Sequence, residues 1–345
     1  MPLILEVIET RTKNVNSSKN TYNYMEGLKF AALFVVGLVL IVKGADWLTD
    51  GASSIARRFN ISSLVIGLTI VAAGTSAPEL VVSLISALEG KTEIAIGNVV
   101  GSNIFNALAI MGLTAIMAPV FCTKRNVYVD VPICVLAGGM LVGMTILNDA
   151  RISRFEGIIL LVCFIAFILY SIYLGKKGSA EEAAQGEESA PKEMAVWKAI
   201  CLFLLGLACL VFGGDWLVDG ASGIAGMLGV SQSVIALTIV AAGTSAPELV
   251  TSLIAARKGD TDMALGNVVG SNILNIFLVL GVSSTIAPLS LGQTRPENIW
   301  IQLGAAALLW FFCYWGKKEY YITRREGIIL TLMAVAYYTW AVLSR

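Results

Sequence analysis

The chain has 345 residues, of which 57% are hydrophobic and only 14% charged, and its formal net charge is zero. Soluble domains carry about a quarter charged residues, so this composition belongs in a bilayer, as does the mean hydropathy of +0.78. Zero net charge offers no footprint for nucleic acid, and the lack of any histidine excludes imidazole metal ligands, histidine proton relays and histidine-based triads.

Residues 1–24 form a polar tail after a short apolar start, without the basic region and apolar core of a cleaved signal peptide. Met25 opens MEGLKFAALFVVGLVL and offers a second start, so the tail reads as dispensable. Apolar segments of ~17–25 residues are the length of a spanning helix. By that rule helices fall near 28–48, 61–88, 94–118, 129–147, 156–174, 196–217, 230–256, 263–287, 298–315 and 327–343. The chain therefore reads as an all-α polytopic membrane protein with ten transmembrane helices. The stretch 176–193, KKGSAEEAAQGEESAPKE, has no apolar periodicity and reads as a flexible linker. It divides residues 25–175 from residues 196–345, with 176–195 as the connection. None of the six cysteines has CxxC spacing, and five lie in apolar spans as small buried hydrophobes.

The two parts are copies. A shift of 169 residues aligns Gly44–Pro119 with Gly213–Pro288 at 46 identities in 76 positions. Five helices per copy is an odd number, so the second copy must enter the membrane with opposite polarity, giving two inverted five-helix repeats with a site where they meet. Loops after odd-numbered helices carry most basic residues, among them Arg57, Arg58, Lys124, Arg125, Lys176, Lys177, Arg257 and Lys258. The positive-inside rule then puts the linker in the cytoplasm and both termini outside, in a multi-pass protein of the plasma (inner) membrane. The basic tail residues Arg11, Lys13 and Lys19 point the other way.

LTIVAAGTSAPELV occurs at 68–81 and again, letter for letter, at 237–250. Its only charges are Glu79 and Glu248. A carboxylate inside a span costs roughly 2.5–3.5 kcal/mol on insertion scales and by default marks an ion pathway. No lysine or arginine falls in the interior of a predicted span to pair with either. Pro78 lacks an amide hydrogen and its ring clashes with the Gly74 carbonyl, which frees backbone carbonyls around Ala72 to Gly74, and Pro247 repeats this around Ala241. Thr75 stands four residues before Glu79, on the same helix face, with Ser76 beside it; Thr244 and Ser245 repeat this. The bland alternative is a proline kink with hydroxyls bonded back to the i−4 carbonyl. Duplication of the whole constellation favours a site.

GNVVGSNIFN (97–106) and GNVVGSNILN (266–275) form a second repeated signature. Ser102 and Asn106, like Ser271 and Asn275, are four apart and line one face. Asn106 and Asn275 read as amide ligands, Asn103 and Asn272 as caps of freed backbone. Gly97 and Gly101, with Gly266 and Gly270, give a GxxxG pattern that permits close helix approach. Together these groups make an all-oxygen cage of two negative charges, which suits Ca2+ with its 6–8 hard oxygen ligands, and suits Na+ equally. GADWLTDGAS (44–53) and GGDWLVDGAS (213–222) place Asp46, Asp50, Asp215 and Asp219 at the cytoplasmic ends of helices 1 and 6, with Trp47 and Trp216 in the interfacial belt. A structural or gating role fits them better than ion binding.

GTSAPEL followed by GNVVGSNIFN, present twice, resembles the paired alpha-repeats of the calcium/cation antiporter superfamily, its prokaryotic sodium/calcium exchangers most of all. The resemblance runs from about residue 28 to near the end. It implies an inverted-repeat antiporter that exports Ca2+ against Na+ entry. In it Glu79 and Glu248 bind the two ions in competition, assisted by Thr75, Ser76, Thr244, Ser245, Ser102, Ser271, Asn106, Asn275 and the carbonyls of Ala72 and Ala241. Helices 1 and 6 would slide across the site. Some members of that group have aspartate where this chain has Asn275, which weakens the case for potassium dependence. The transported ions and membrane lipid are the only partners implied; no cofactor is expected, and one chain suffices for transport. Proton/calcium exchange by the same carboxylates is the nearest rival, and a cation channel is the alternative of a different class. An enzyme is the weakest reading: the chain has no histidine, no aspartate within the core spans and no cluster of nitrogen metal ligands, and the sequence offers Ser76 and Ser245 no activating base.

Overall fold

The computed structural model describes residues 2–59, 61–183, 194–229, 241–292, 295–315 and 320–343, and these are almost entirely helical. Long runs of Leu, Val, Ala and Phe in lipid leave helix as the way to satisfy every backbone group. The first copy comprises α1 (Pro2–Arg58), α2 (Ser63–Thr75), α3 (Ala77–Leu88), α4 (Thr92–Met117), β1 (Val120–Phe121), α5 (Asn126–Leu147), β2 (Arg151–Ile152) and α6 (Arg154–Ala183). The second comprises α7 (Val196–Met227), α8 (Ala241–Thr244), α9 (Ala246–Arg257), α10 (Thr261–Ile286), β3 (Leu289–Ser290), α11 (Pro296–Trp315), β4 (Tyr321–Ile322) and α12 (Arg324–Leu343).

Among the described residues seven helices are long and apolar enough to cross a membrane, and the bent pair α2–α3 makes an eighth. The first part of the predicted seventh span, 230–240, lies outside the described residues. The predicted tenth is present as α12, but its tyrosines, Trp340 and two leading arginines keep it below the apolarity of the others. The backbone of α1 is helical from Pro2, through the predicted tail. Likewise α6 runs to Ala183, into the predicted linker, of which 184–193 is outside the description.

The repeat-related helices α1 and α7 cross antiparallel along a glycine seam. A Cβ on Gly37 would meet the carbonyl of Gly213, one on Gly44 the carbonyl of Gly206, and one on Gly51 the carbonyl of Ala199. As the number rises on one helix it falls on the other. This overturns the expectation that all four acidic residues of the repeated DWLxDG motif share a membrane face. Gly51, next to Asp50, meets Ala199, whereas Asp219 lies twenty residues farther along α7, roughly 30 Å at 1.5 Å per residue. Nor do these aspartates end their helices, since α1 continues to Arg58 and α7 to Met227. Hydropathy drops at the aspartates while the helix itself goes on; Lys43, five residues inside the predicted span 28–48, lies on the exposed face of α1, which corrects the expectation that no span holds a lysine in its interior.

Asp46 and Asp50 grip Lys258, the residue after α9, at 2.6 and 2.8 Å. The matching position in the first copy is Glu89, so the second aspartate pair has no such lysine there. Because Lys258 and both aspartates are partly exposed, the clamp adds little: Lys258→Ala should lower stability by less than about 1 kcal/mol. Thermal unfolding in detergent at low and high salt checks this, and the difference from wild type should shrink as salt rises.

At the centre stand α4 and α10, the most buried spans. The copies exchange partners around them. The end of α4 packs on α12, where Gly112 faces the backbone of Thr331, and the end of α10 packs on α6, where Gly157 faces Thr285. Two short antiparallel ladders also join the copies, β1 with β4 and β2 with β3. This interlocking fixes what α3 and α9 present to the middle of the bundle.

Candidate functional site

The GTSAPE segment breaks a helix. The axes of α2 and α3 differ by 47°, with Ser76 (φ −81°, ψ 7°) between them. Pro78 lies at the start of α3, where its missing N–H would have had no partner in any case. Glu79 follows in the first turn, at the positive end of the helix dipole and close to unpaired N–H groups. The second copy repeats the arrangement, with Ser245 (φ −89°, ψ 7°), then Pro247 and Glu248 in the first turn of α9. Before α2 breaks, Gly67–Val71 forms a π-helical turn.

One expectation needs correction here. The Ala72 carbonyl is not freed by Pro78: it accepts the Ser76 N–H at 2.9 Å and the Thr75 hydroxyl at 3.4 Å. Of the expected stretch Ala72 to Gly74, it is Gly74, four before Pro78, whose i+4 donor is missing. Ala72 keeps only the second lone pair of a carbonyl already engaged. Ala241 opens the matching turn α8, and its side chain lies outside the described residues.

Glu79 and Glu248 are fully buried. Glu79 Oε1 accepts from Ser102 Oγ at 3.3 Å and from Ser245 Oγ at 3.2 Å. Glu248 Oε1 accepts from Ser76 Oγ at 3.0 Å. The serine beside each break thus reaches the glutamate of the other copy. Thr75 and Ser271 also approach the Glu248 carboxyl, and Thr244 stands half-buried in α8. Among the described residues the second carboxyl oxygen of each glutamate has no hydrogen-bond donor, and no lysine or arginine bridges to either.

The four amides differ in their partners. Asn103 Nδ2 donates to the Asn272 carbonyl at 3.1 Å, and Asn272 Nδ2 donates back to the Asn103 carbonyl at 3.3 Å. This reciprocal clasp holds α4 to α10 just ahead of their π-helical turns, Phe105–Ile110 and Asn275–Leu280. Asn106 lies in the first of these turns and Asn275 opens the second. Asn275 Nδ2 donates to Asn103 Oδ1 at 3.0 Å, which leaves its own oxygen unpartnered. Among the described residues Asn106 has neither polar atom partnered, and Ser271 Oγ has no hydrogen-bond partner. Each such buried group costs ~1–3 kcal/mol if nothing meets it. The orphans are nearly all oxygen, and the turns that carry Asn106 and Asn275 pack against the glutamate helices; oxygen of this kind is what a hard cation takes as ligand. No described cluster holds three or more His, Cys, Asp or Glu, so charge at the site is limited to the glutamate pair.

Two further asparagines escaped the sequence reading. Asn98 Nδ2 donates to the Glu79 carbonyl at 3.2 Å and to Ser83 Oγ at 3.0 Å. Asn267 Nδ2 donates to the Glu248 carbonyl at 3.3 Å and to Ser252 Oγ at 3.0 Å. The signal was available: each sits four residues before Ser102 or Ser271, on the same face and within the same repeated decapeptide.

The profile of the sodium/calcium exchanger protein family matches residues 29–173 and again residues 198–343. The chain belongs to that family. The chain is similar to CaxA of Alkalimonas amylolytica, 41% identical over 89% of this chain and 97% of that one. The sodium/calcium exchanger MaX1 of Methanosarcina acetivorans is 34% identical over 88% and 96%. The fold matches solved structures of the sodium-calcium exchanger NCX_Mj, one of them soaked with 2.5 mM Na+ and 0.1 mM Ca2+. That match has a TM-score of 0.77 at 33% identity and covers 91% of this chain and 98% of that one. The resemblance drawn from the two repeated motifs therefore stands. As a sodium/calcium exchanger family member, the chain is a membrane transporter of cations rather than an enzyme.

Proposed function

We propose that this exchanger moves Ca2+ out against Na+ entry, by alternating access of one site between two inverted five-helix halves that make ten spans in all. The observation that carries the reading is the pair of buried glutamates, each bonded to the serine of the opposite copy and each with an oxygen left for a cation. The antiparallel crossing of α1 and α7 supports the inverted arrangement. In this reading the ligands are Glu79, Glu248, Thr75, Thr244, Ser76, Ser245, Ser102, Ser271, Asn106 and Asn275, with carbonyls at Ala72 and Ala241.

The charge count gives the mechanism. Two carboxylates make a site of −2, neutral with one Ca2+ and also fillable by several Na+. Moving it empty would carry two uncompensated charges through a low-dielectric barrier, so only loaded forms cross. Exchange of more than two Na+ per Ca2+ would be electrogenic and respond to membrane potential. The linker is assigned to the cytoplasm and both termini to the outside, from the distribution of loop lysines and arginines. All the proposed ligands belong to one chain, so a monomer is the transporting unit.

The test is counter-ion dependence. Proteoliposomes loaded with Na+, K+ or acid, each alone, are diluted into 45Ca2+. Uptake should follow the Na+ gradient, with saturation. Calcium uptake driven by a pH gradient without sodium would overturn Na+ as the counter-ion, a requirement for K+ would restore potassium dependence, and non-saturating flux without any counter-ion would indicate a channel.

A further inference from the structure

We infer that Asn267 is a positioning residue that presents the Thr75 hydroxyl, from the opposite copy, to the transported cation; this rests on the proposed exchange reading. A threonine hydroxyl has one proton and two lone pairs. To coordinate a cation it must aim a lone pair at the ion, so its proton needs an acceptor elsewhere. Thr75 Oγ1 donates to Asn267 Oδ1 at 3.2 Å, better placed than the Ala72 carbonyl at 3.4 Å, which already accepts the Ser76 amide.

The amide cannot turn over. Both hydrogens of Asn267 Nδ2 are committed, to the Glu248 carbonyl and to Ser252 Oγ. A flipped amide would press Oδ1 against the Glu248 carbonyl oxygen and aim N–H groups at Thr75. The hydroxyl would then have to accept, consuming a lone pair that the ion uses. Thr75 and Asn267 are both fully buried, so no solvent replaces either partner. A single amide thereby sets Thr75 of the first copy and the main chain of Glu248 in the second in one geometry. Asn98 makes the same two donations on its own side, to the Glu79 carbonyl and Ser83.

The experiment is a double-mutant cycle on the full chain, with Asn267→Ala, Thr75→Val and both together. The Na+ concentration for half-maximal exchange and the maximal rate are measured by 45Ca2+ uptake, and Na+ binding is followed separately by Na+-dependent thermal stabilisation in detergent. Asn267→Ala should raise the half-maximal Na+ concentration about fivefold, the effect of losing one buried hydrogen bond, with the maximal rate changed less than twofold. In the Thr75→Val background the same substitution should have almost no further effect on either Na+ measurement. Additive losses, or a fall in rate at constant Na+ dependence, would overturn the inference and leave Asn267 as packing. Should Asn267→Ala fail to fold, Ser252→Ala removes one of the two acceptors that orient the amide; it must shift Na+ dependence the same way and lose that effect beside Thr75→Val. Absence of Na+-driven uptake in wild type sinks the exchange reading itself, whereas additivity with wild-type uptake intact sinks only the role of Asn267.

Discussion

Glu79→Gln and Glu248→Gln should each cut Na+-driven 45Ca2+ uptake by at least about a hundredfold, while the variants insert, purify and unfold no lower than wild type. Glutamine keeps the size of the side chain and an oxygen to accept from Ser102 and Ser245, or from Ser76, so the packing that fixes the helix break survives. What changes is charge. With one carboxylate left the cage is −1, and a divalent ion leaves a net charge inside the bundle. A hundredfold corresponds to ~2.7 kcal/mol, modest for removing one of two formal charges that face a buried cation. Stability should move the other way, because an unpaired carboxylate in a span costs roughly 2.5–3.5 kcal/mol that an amide avoids. Loss of transport with an unchanged or raised melting temperature is therefore the signature of a site maintained at the expense of stability. Robust uptake by either variant would remove that glutamate from the site.

How much of this could be read from the chain follows from what local pattern encodes. The duplication and the two intramembrane carboxylates were legible because a repeated string and a charge in an apolar run are properties of the string itself. The helix break at Ser76 was legible through Pro78, whose chemistry acts within one turn. The exchange of serines between copies was not, since Ser76 meets Glu248 only after two halves interlock, 172 residues apart. Asn98 and Asn267 were legible as a repeated i, i+4 pair with Ser102 and Ser271, but not their roles, because half of their acceptors are main-chain carbonyls that no side-chain pattern announces. The same-face placement of the four aspartates failed for a related reason: repeat identity fixes position within a copy, while face depends on the direction in which each copy runs. Helix ends were misjudged where hydropathy falls but backbone hydrogen bonding continues, as at Asp46–Asp50 in α1.

The second large effect is expected in the α1–α7 seam. A Cβ on Gly206 would lie 2.5 Å from the Leu48 nitrogen and 2.6 Å from the Gly44 carbonyl oxygen, both backbone atoms that cannot swing aside. Lipid gives no hydrophobic drive to hold two helices together, so their attraction depends on close backbone approach, which glycine permits. Gly206→Ala must push the axes apart, and overpacking of this kind typically costs ~1–3 kcal/mol. The control is Gly143→Ala in α5, where an added Cβ meets nothing within 4 Å. That change should be neutral or stabilise by about 0.5–1 kcal/mol, because alanine loses less backbone freedom than glycine in a helix. Thermal unfolding of the two variants side by side measures the difference, and equal melting temperatures would mean the seam is not the tight contact described. Transport adds a second reading. If α1 and α7 slide across the site as one body, Gly206→Ala should slow Na+-driven uptake while leaving Na+-dependent stabilisation intact. Glu79→Gln should remove both, and that contrast separates the moving seam from the ion cage.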